Sequence, residues 1–311
     1  METKLLIEIN NLEQGLKFID EKLGALILNI KDLTYTKQFN CYTNEISILA
    51  ERASENDVEL YINLDMLYHE EDLIGLKAIL KKLDKLAITG LIINDVGIIE
   101  LVEELGLDFK FINGTAILNT NYASIEYTSD IYDGYFLSNE INIDEILKIA
   151  KKSSTNLFVQ VYGKQKIFNS KRLLLSSYFE YSKLEPIDVS PRNYLIVSDE
   201  VNKDNQSYIY EDQHGTYIYT KNNVNALNYL HQLCRANVKY LYLNNLFCTT
   251  KEYEEVVYLF KDVLDNEDYD IASAQEKLIE ISTNLSESFY DDKTVYTIEQ
   301  AKLLEMDIKN D

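Results

Sequence analysis

Tryptophan is absent from this chain, proline occurs twice, and cysteine and histidine occur three times each. Cys41, Cys234 and Cys248 are too few and too scattered for a disulfide framework or a four-thiolate metal site. A zinc helix of the H-E-x-x-H type cannot be built, because His69-Glu70-Glu71 has no second histidine one turn on. His214 and His231 fall in separate segments, and no Gly-x-Ser-x-Gly elbow occurs. Long hydrophobic runs are missing too: none approaches the roughly 18 residues that a membrane helix needs. Met1-Glu2-Thr3-Lys4 lacks the basic and apolar regions of a secretion signal, so a cytoplasmic location and no membrane contact are expected. Basic residues are the last shortage. Lys+Arg 30 against Asp+Glu 52 gives a net charge of −22, which repels phosphate backbones and argues against a DNA-binding protein.

What the chain does have is a recurring phrase. Apolar runs of strand length end on asparagine at Asn10, Asn29, Asn63, Asn94, Asn113, Asn139 and Asn244, and a further run, Asn156 to Gly163, ends on Tyr-Gly. Amphipathic helical patterns separate most of them, near Leu12–Lys22, Asn44–Ala53, Glu70–Leu83, Val96–Leu105, Asn119–Tyr127 and Ile143–Lys152. Continuous apolar strands alternating with helices signal parallel strands buried on both faces. Eight such units predict an α/β fold of the (β/α)₈ TIM-like barrel class, whose chemistry gathers where the strands end. The asparagines would then ring one mouth, although asparagine also suits strand-to-helix turns and helix N-caps.

Regularity breaks after the seventh strand. Lys164–Asn193 reads as a long connection. Tyr194–Ser198, Tyr208–Asp212 and Gly215–Tyr219 read as a small antiparallel meander, with a helix over Val224–Ala236 leading into the eighth strand. Lys251–Leu264 reads as the helix after that strand, and two more helices are expected near Ile271–Leu285 and Ile298–Met306. The predicted organisation is a barrel over 1–263, interrupted by an inserted loop and meander over 164–222, with a C-terminal helical extension over 264–311. The four tyrosines Tyr208, Tyr210, Tyr217 and Tyr219 suit an interaction surface or, more simply, good strand formers.

Charge is uneven along the chain. No Asp or Glu occurs between Ile146 and Phe179, while Lys148, Lys151, Lys152, Lys164, Lys166, Lys171 and Arg172 do. A basic patch on an acidic body can attract a small anion while rejecting long polyanions.

With Gly163, Ser170, Arg172, Leu174-Leu175-Ser176 and Tyr178 in the stretch from Phe158 onward, the chain resembles the collagenase-like peptidase family U32. Members carry a phrase of the type F-V-H-G-A-x-C-x-x-Y-S-G-R-C-L-L-S-N-Y, and Phe158–Phe179 retains Gly163, Ser170, Arg172, Leu174-Leu175-Ser176 and Tyr178, with Lys166 and Leu173 in place of the two cysteines. Leu91–Ile99, Ser138–Ile141 and Tyr210–Ile218 resemble further family phrases, whereas Tyr242-Leu243-Asn244-Asn245-Leu246 departs from the usual K-I-E-G-R ending of the eighth strand. Cysteines of this loop look like iron–sulfur ligands in many relatives. A cluster needs close to four thiolates, so no cluster and no other cofactor are expected here.

The resemblance implies two activities. One is peptidase chemistry, for which an aspartic-type pair is conceivable among Asp65, Asp95 and Glu140, with Asp95 and Glu140 the chosen catalytic candidates. The other is prephenate-dependent hydroxylation of the tRNA wobble uridine, in which some relatives act as a short and a long member together. This chain resembles the short member. The implied partners are a longer U32-family paralogue and, indirectly, tRNA; the implied ligand is a small anion such as prephenate. Arg172, Lys166, Lys171 and Ser176 are the candidates for touching its carboxylate, with Tyr162, Asn94 and Asn113 lining the mouth and no metal ligands. A third reading is a barrel kept only as an interaction platform.

Overall fold

The computed structural model describes residues 2–35, 39–115, 117–190, 193–198, 206–287 and 290. Eight parallel strands close a barrel: β1 (Lys4–Glu8), β2 (Ala25–Asn29), β3 (Leu60–Leu64), β4 (Gly90–Ile93), β5 (Phe111–Asn113), β6 (Gly134–Phe136), the first half of β7 (Asn156–Ser170) and β11 (Tyr240–Leu243). Closure comes from β11 (Tyr240–Leu243), which pairs with β1 at Leu5↔Leu241 and with β7 at Tyr240↔Phe158. Full closure leaves no barrel strand with an unpaired edge.

Six helices follow the first six strands: α1 (Leu12–Asp20), α2 (Thr43–Asn56), α3 (Leu73–Leu83), α4 (Gly97–Glu104), α5 (Tyr122–Tyr127) and α6 (Ile143–Lys152). Their apolar stripes and the outward strand residues form one continuous layer, including Phe18, Leu49, Leu80, Leu101 and Ile149. Side chains that cap α1, α5 and α6 come from Asn11, Asn121 and Asn142, each accepting from a backbone N–H three residues on. The strand-ending asparagines are therefore not these caps. Inside the barrel a second core holds Leu6, Ile27, Tyr61, Ile92, Ile112, Phe136, Phe158 and Tyr240.

The region after the seventh strand differs from the expected loop. β7 runs without interruption to Ser170, leaves the barrel at Gly163, and pairs antiparallel with β10 (Gly215–Asn225). A short helix α7 (Leu174–Ser182) and the strands β8 (Leu195–Ser198) and β9 (Gln206–Asp212) complete this arm. The helix expected over Val224–Ala236 starts late. Val224 and Asn225 still belong to β10, and a 3₁₀ turn (Leu227–Tyr229) precedes α8 (Leu230–Arg235). α9 (Thr250–Asp265), α10 (Ile271–Ile281) and the short β12 (Leu285–Ser286) follow. The helix expected near Ile298–Met306 lies outside the described residues.

The arm folds down over the barrel mouth. Tyr210, Tyr217 and Tyr219 turn inward with Tyr35, Met66 and Leu246 into a third core, so the meander tyrosines are packed and do not form an open surface. Among the described residues no helix is long and apolar enough to cross a membrane.

So many enclosed phenols set the behaviour of the fold at high pH. Burial pushes Tyr61, Tyr162, Tyr217 and Tyr240 well above the ordinary tyrosine value, and Tyr208 up to about 12. Above about pH 10 the unfolded chain gives up phenolic protons that the folded chain keeps, so stability is complete below that pH and falls as pH rises. Alkaline titration should show phenolate absorbance appearing together with loss of the far-ultraviolet dichroism. Buried tyrosines ionising near pH 10 in a chain with intact dichroism would contradict this.

Candidate functional site

Side chains alternate in and out along a strand, so each residue two beyond an inward one also faces in. Leu6 leads to Glu8, Ile27 to Asn29, Tyr61 to Asn63 and then Asp65, Ile92 to Asn94, Ile112 to Gly114, Phe158 to Gln160, and Tyr240 to Tyr242 and Asn244. A polar storey thus sits directly above the apolar interior. Asn63 Nδ2 donates to Asn29 Oδ1 at 2.7 Å, and Asn29 Nδ2 reaches Glu8 Oε1 at 3.4 Å. The Tyr242 hydroxyl donates to Glu8 Oε1 at 2.9 Å, Asn244 Nδ2 donates to the Tyr242 oxygen at 3.0 Å, and the Asn245 backbone N–H meets Glu8 Oε2 at 3.4 Å. Glu8 is fully buried. Hydrogen bonds from neutral groups hold its carboxyl, as burial demands.

Above this network lies a cavity of about 100 Å³ at the C-terminal ends of the strands. Asn63, Asp65, Asn94, Asn139, Gln160 and Asn244 contribute its polar wall, and Lys164, Lys166 and Tyr219 roof it from the arm. Asn94 Nδ2 donates to the Asp65 carbonyl at 3.0 Å, while Asn94 Oδ1 is buried without a hydrogen-bond partner. Lys164 is 6% exposed; its ammonium donates to the Lys221 carbonyl and lies 5.0 Å from the Tyr208 ring centre. Burial lowers its pKa to about 8. Lys166 Nζ lies 5.0 Å from the Tyr35 ring centre. A larger groove, about 760 Å³, opens at the opposite end of the barrel between α6 and α8, and no carboxylate lines it.

Of the residues singled out from sequence, the structure brings Asn94, Lys166 and, from the conceivable acidic pair, Asp65 to this cavity. Asp95 is one step past Asn94, and its Oδ1 instead accepts from the Gly97 N–H at 2.9 Å where α4 begins. Glu140 is exposed beyond β6. Asn113 follows inward Ile112 by one residue, so it has the opposite parity and accepts from the Thr115 N–H at 3.0 Å. Tyr162 belongs to the outer layer, with its hydroxyl 2.7 Å from Ser282 Oγ. Lys171 pairs with Asp72 at 3.0 Å, and Ser176 donates to Glu211. Arg172 is exposed at the end of the arm. Because β7 continues seven residues past Gly163, roughly 20 Å at strand rise, Arg172 does not converge with Asp95 and Glu140 on the cavity.

Glu8 and Lys164 were not among those candidates. A signal for Glu8 existed in Leu5-Leu6-Ile7-Glu8-Ile9, where a charge interrupts an apolar strand on the parity of Leu6. Two other residue classes recede. Burial pushes the Cys41 and Cys248 thiols up to about 12, which leaves them poor nucleophiles. Among the described residues no group of three His, Cys, Asp or Glu side chains could hold a metal ion.

Similar curated proteins include tRNA hydroxylation protein P2 of Bacillus subtilis, 23% identical over 223 residues that span 71% of this chain and 72% of that one. Another is the uncharacterized protease MJ0090 of Methanocaldococcus jannaschii, 26% identical over 182 residues, which cover 56% of this chain and 44% of the archaeal protein. Among solved structures the U32 peptidase Mk0906 aligns with a TM-score of 0.42 and 15% identity, over 52% of this chain and 70% of that one. The model of peptidase family U32 matches residues 11–299, nearly the whole sequence, and the chain belongs to that family.

Proposed function

We propose that this chain is a small-anion-binding U32 barrel that serves tRNA wobble-uridine hydroxylation as the partner subunit of a longer family member. The observation that carries the reading is the cavity itself. Two lysines face a wall of carboxamides and one carboxylate, Asp65, around a space of about 100 Å³, so the two cations outnumber the one acid and suit a compact anion. Carboxamides supply both donors and acceptors, and the unpartnered Asn94 Oδ1 offers an acceptor to a hydroxyl on the ligand. A small anion such as prephenate fits this chemistry. On this reading the chain holds no iron–sulfur cluster of its own, since Lys166 and Leu173 stand where relatives carry thiolates. Similarity to the Bacillus subtilis protein points toward tRNA.

A surface for the partner is at hand on the arm. α7 has no buried residue, and Leu173, Tyr178, Tyr181 and Leu184 are exposed on it and at its ends. Clustered exposed apolar side chains of this kind mark contact with another protein.

Deleting the gene should abolish hydroxylated wobble uridine in nucleoside mass spectrometry of bulk tRNA; an unchanged level would remove the proposal. In complementation, Lys166→Glu should restore about a tenth or less of the wild-type level, the loss of one charge-assisted hydrogen bond.

The second reading, a peptidase, is favoured by the buried carboxyl groups of Glu8 and Asp65 at the mouth and by the family's name. Purified protein that cleaves gelatin and loses this activity on Asp65→Asn would promote it. Dependence on Asp95 and Glu140 instead would move the chemistry to the outer rim.

A further inference from the structure

Lys164 is the most unusual side chain of the cavity. It lies on β7 directly after Gly163, where the strand leaves the barrel, and its amine is enclosed between the Tyr208 ring, the Lys221 carbonyl and the cavity. Among the described residues it makes no ion pair with a carboxylate, although a lysine this buried is usually paired. Of the charged or ionisable groups around it, Lys221 repels the cation, while Glu252 and Cys248 act in the opposite sense, and burial outweighs them all. Lys166 and the carboxylate of Asp65 share the same cavity wall. A desolvated amine beside a second cation is an arrangement that activates lysine as a nucleophile toward carbonyl carbon.

We propose that Lys164 forms a Schiff base with a small 2-oxo acid held in the barrel mouth, Lys166 neutralising the acid's carboxylate. The Nζ lone pair attacks the 2-oxo carbon and forms the new C–N bond. The former carbonyl oxygen then departs as water with the two amine protons, leaving an imine; no oxidant or reductant is consumed. Asn139 lines the same wall and offers its carboxamide to the carbinolamine oxygen before it leaves. The inference rests on the cavity being a small-anion site and goes beyond it by assigning a covalent step.

Trapping tests it directly. The intact chain is incubated at pH 8 with pyruvate or 2-oxoglutarate and sodium cyanoborohydride, then analysed by intact mass and peptide mapping. At this pH Lys164 carries roughly 100-fold more neutral amine than an ordinary lysine, so it should label first, at one acid per chain. The expected mass gain is that of the acid less one oxygen. Lys164→Arg should abolish the label, and Lys166→Met should slow it at least about 10-fold. If Lys164→Arg fails to fold, the peptide map of the wild-type chain still decides the matter. Label spread evenly over surface lysines, or none on Lys164, would overturn the covalent step. In that case glutarate and 2-oxoglutarate raising the melting temperature equally would keep the anion site, and neither raising it would remove both.

Discussion

Gly163→Ala should destabilise the chain by about 3–5 kcal/mol, the combined cost of a strained φ and a forced overlap. Gly163 has φ +99°, a conformation that side-chain-bearing residues rarely adopt, and an added Cβ would lie 2.3 Å from the Asn244 carbonyl oxygen. That oxygen belongs to the backbone just past β11, so it cannot move aside as a flexible side chain would. The site is also where β7 changes allegiance. Up to Tyr162 it pairs in parallel with β11, with a register shift between Tyr242 and Leu243, and from there it pairs antiparallel with β10. Chemical denaturation should show the midpoint moving strongly, with a melting temperature lower by roughly 10 °C. Lys164 and Asn244 flank the overlap, so ligand binding should be lost before the fold is. A change under about 1 kcal/mol would show that the crossing is looser than described.

Phe158→Ala is the second large effect, expected to cost about 3–5 kcal/mol. Phe158 is fully buried inside the barrel, its ring stacked 4.3 Å from Tyr240 and 4.9 Å from Phe136, with the edge of Tyr61 at 5.8 Å. Tyr61 and Tyr240 are joined by a hydrogen bond of 2.7 Å, and Tyr240 donates to Glu59 at 2.9 Å. Removing the ring leaves a hole that these tied side chains cannot collapse to fill, so the cavity contribution stays near its maximum. Phe158→Leu, which keeps most of the volume, should cost less than about 1.5 kcal/mol. Equal effects of the two substitutions in urea unfolding would mean that the interior relaxes freely.

Much of the architecture was legible because parallel barrel strands are marked locally. Each is a short apolar run followed by an amphipathic stretch, as in Leu91–Ile93 leading to α4. The meander was legible for the same reason: the Gln213-His214 turn and flanking tyrosines announce a hairpin, and β9 pairs with β10 across it at Gly215↔Asp212. The continuation of β7 to Ser170 was not. Lys164–Ser170 is mostly polar, and its strand state depends on pairing with β10 some fifty residues later, which no local pattern records. The late start of α8 has the same origin, since Val224 and Asn225 are held by Gly163 and Tyr162 across that pairing.

Most of the candidate site divides along one rule. Seven of the eight runs end on asparagine, yet on most strands the residue that faces the cavity is chosen by a period of two counted from the barrel interior. Asn63, Asn94 and Asn244 satisfy the count. Asn139 reaches the cavity although it lies three residues past inward Phe136, whereas Asn113 misses the count by one residue and turns to Thr115. Asp95 misses it in the same way. Glu8 satisfies it from within an apolar run, where attention to strand ends alone does not look.

By itself the sequence determined the class of fold, the order of its strands and helices, and the family, because these follow from hydrophobic periodicity and from phrases carried within single segments. Tertiary structure alone decided which polar side chains share a hollow. Closing the barrel converts one-residue differences in parity into opposite faces, and folding the arm back carries Lys164 and Lys166 over the mouth while it takes Arg172 away from it.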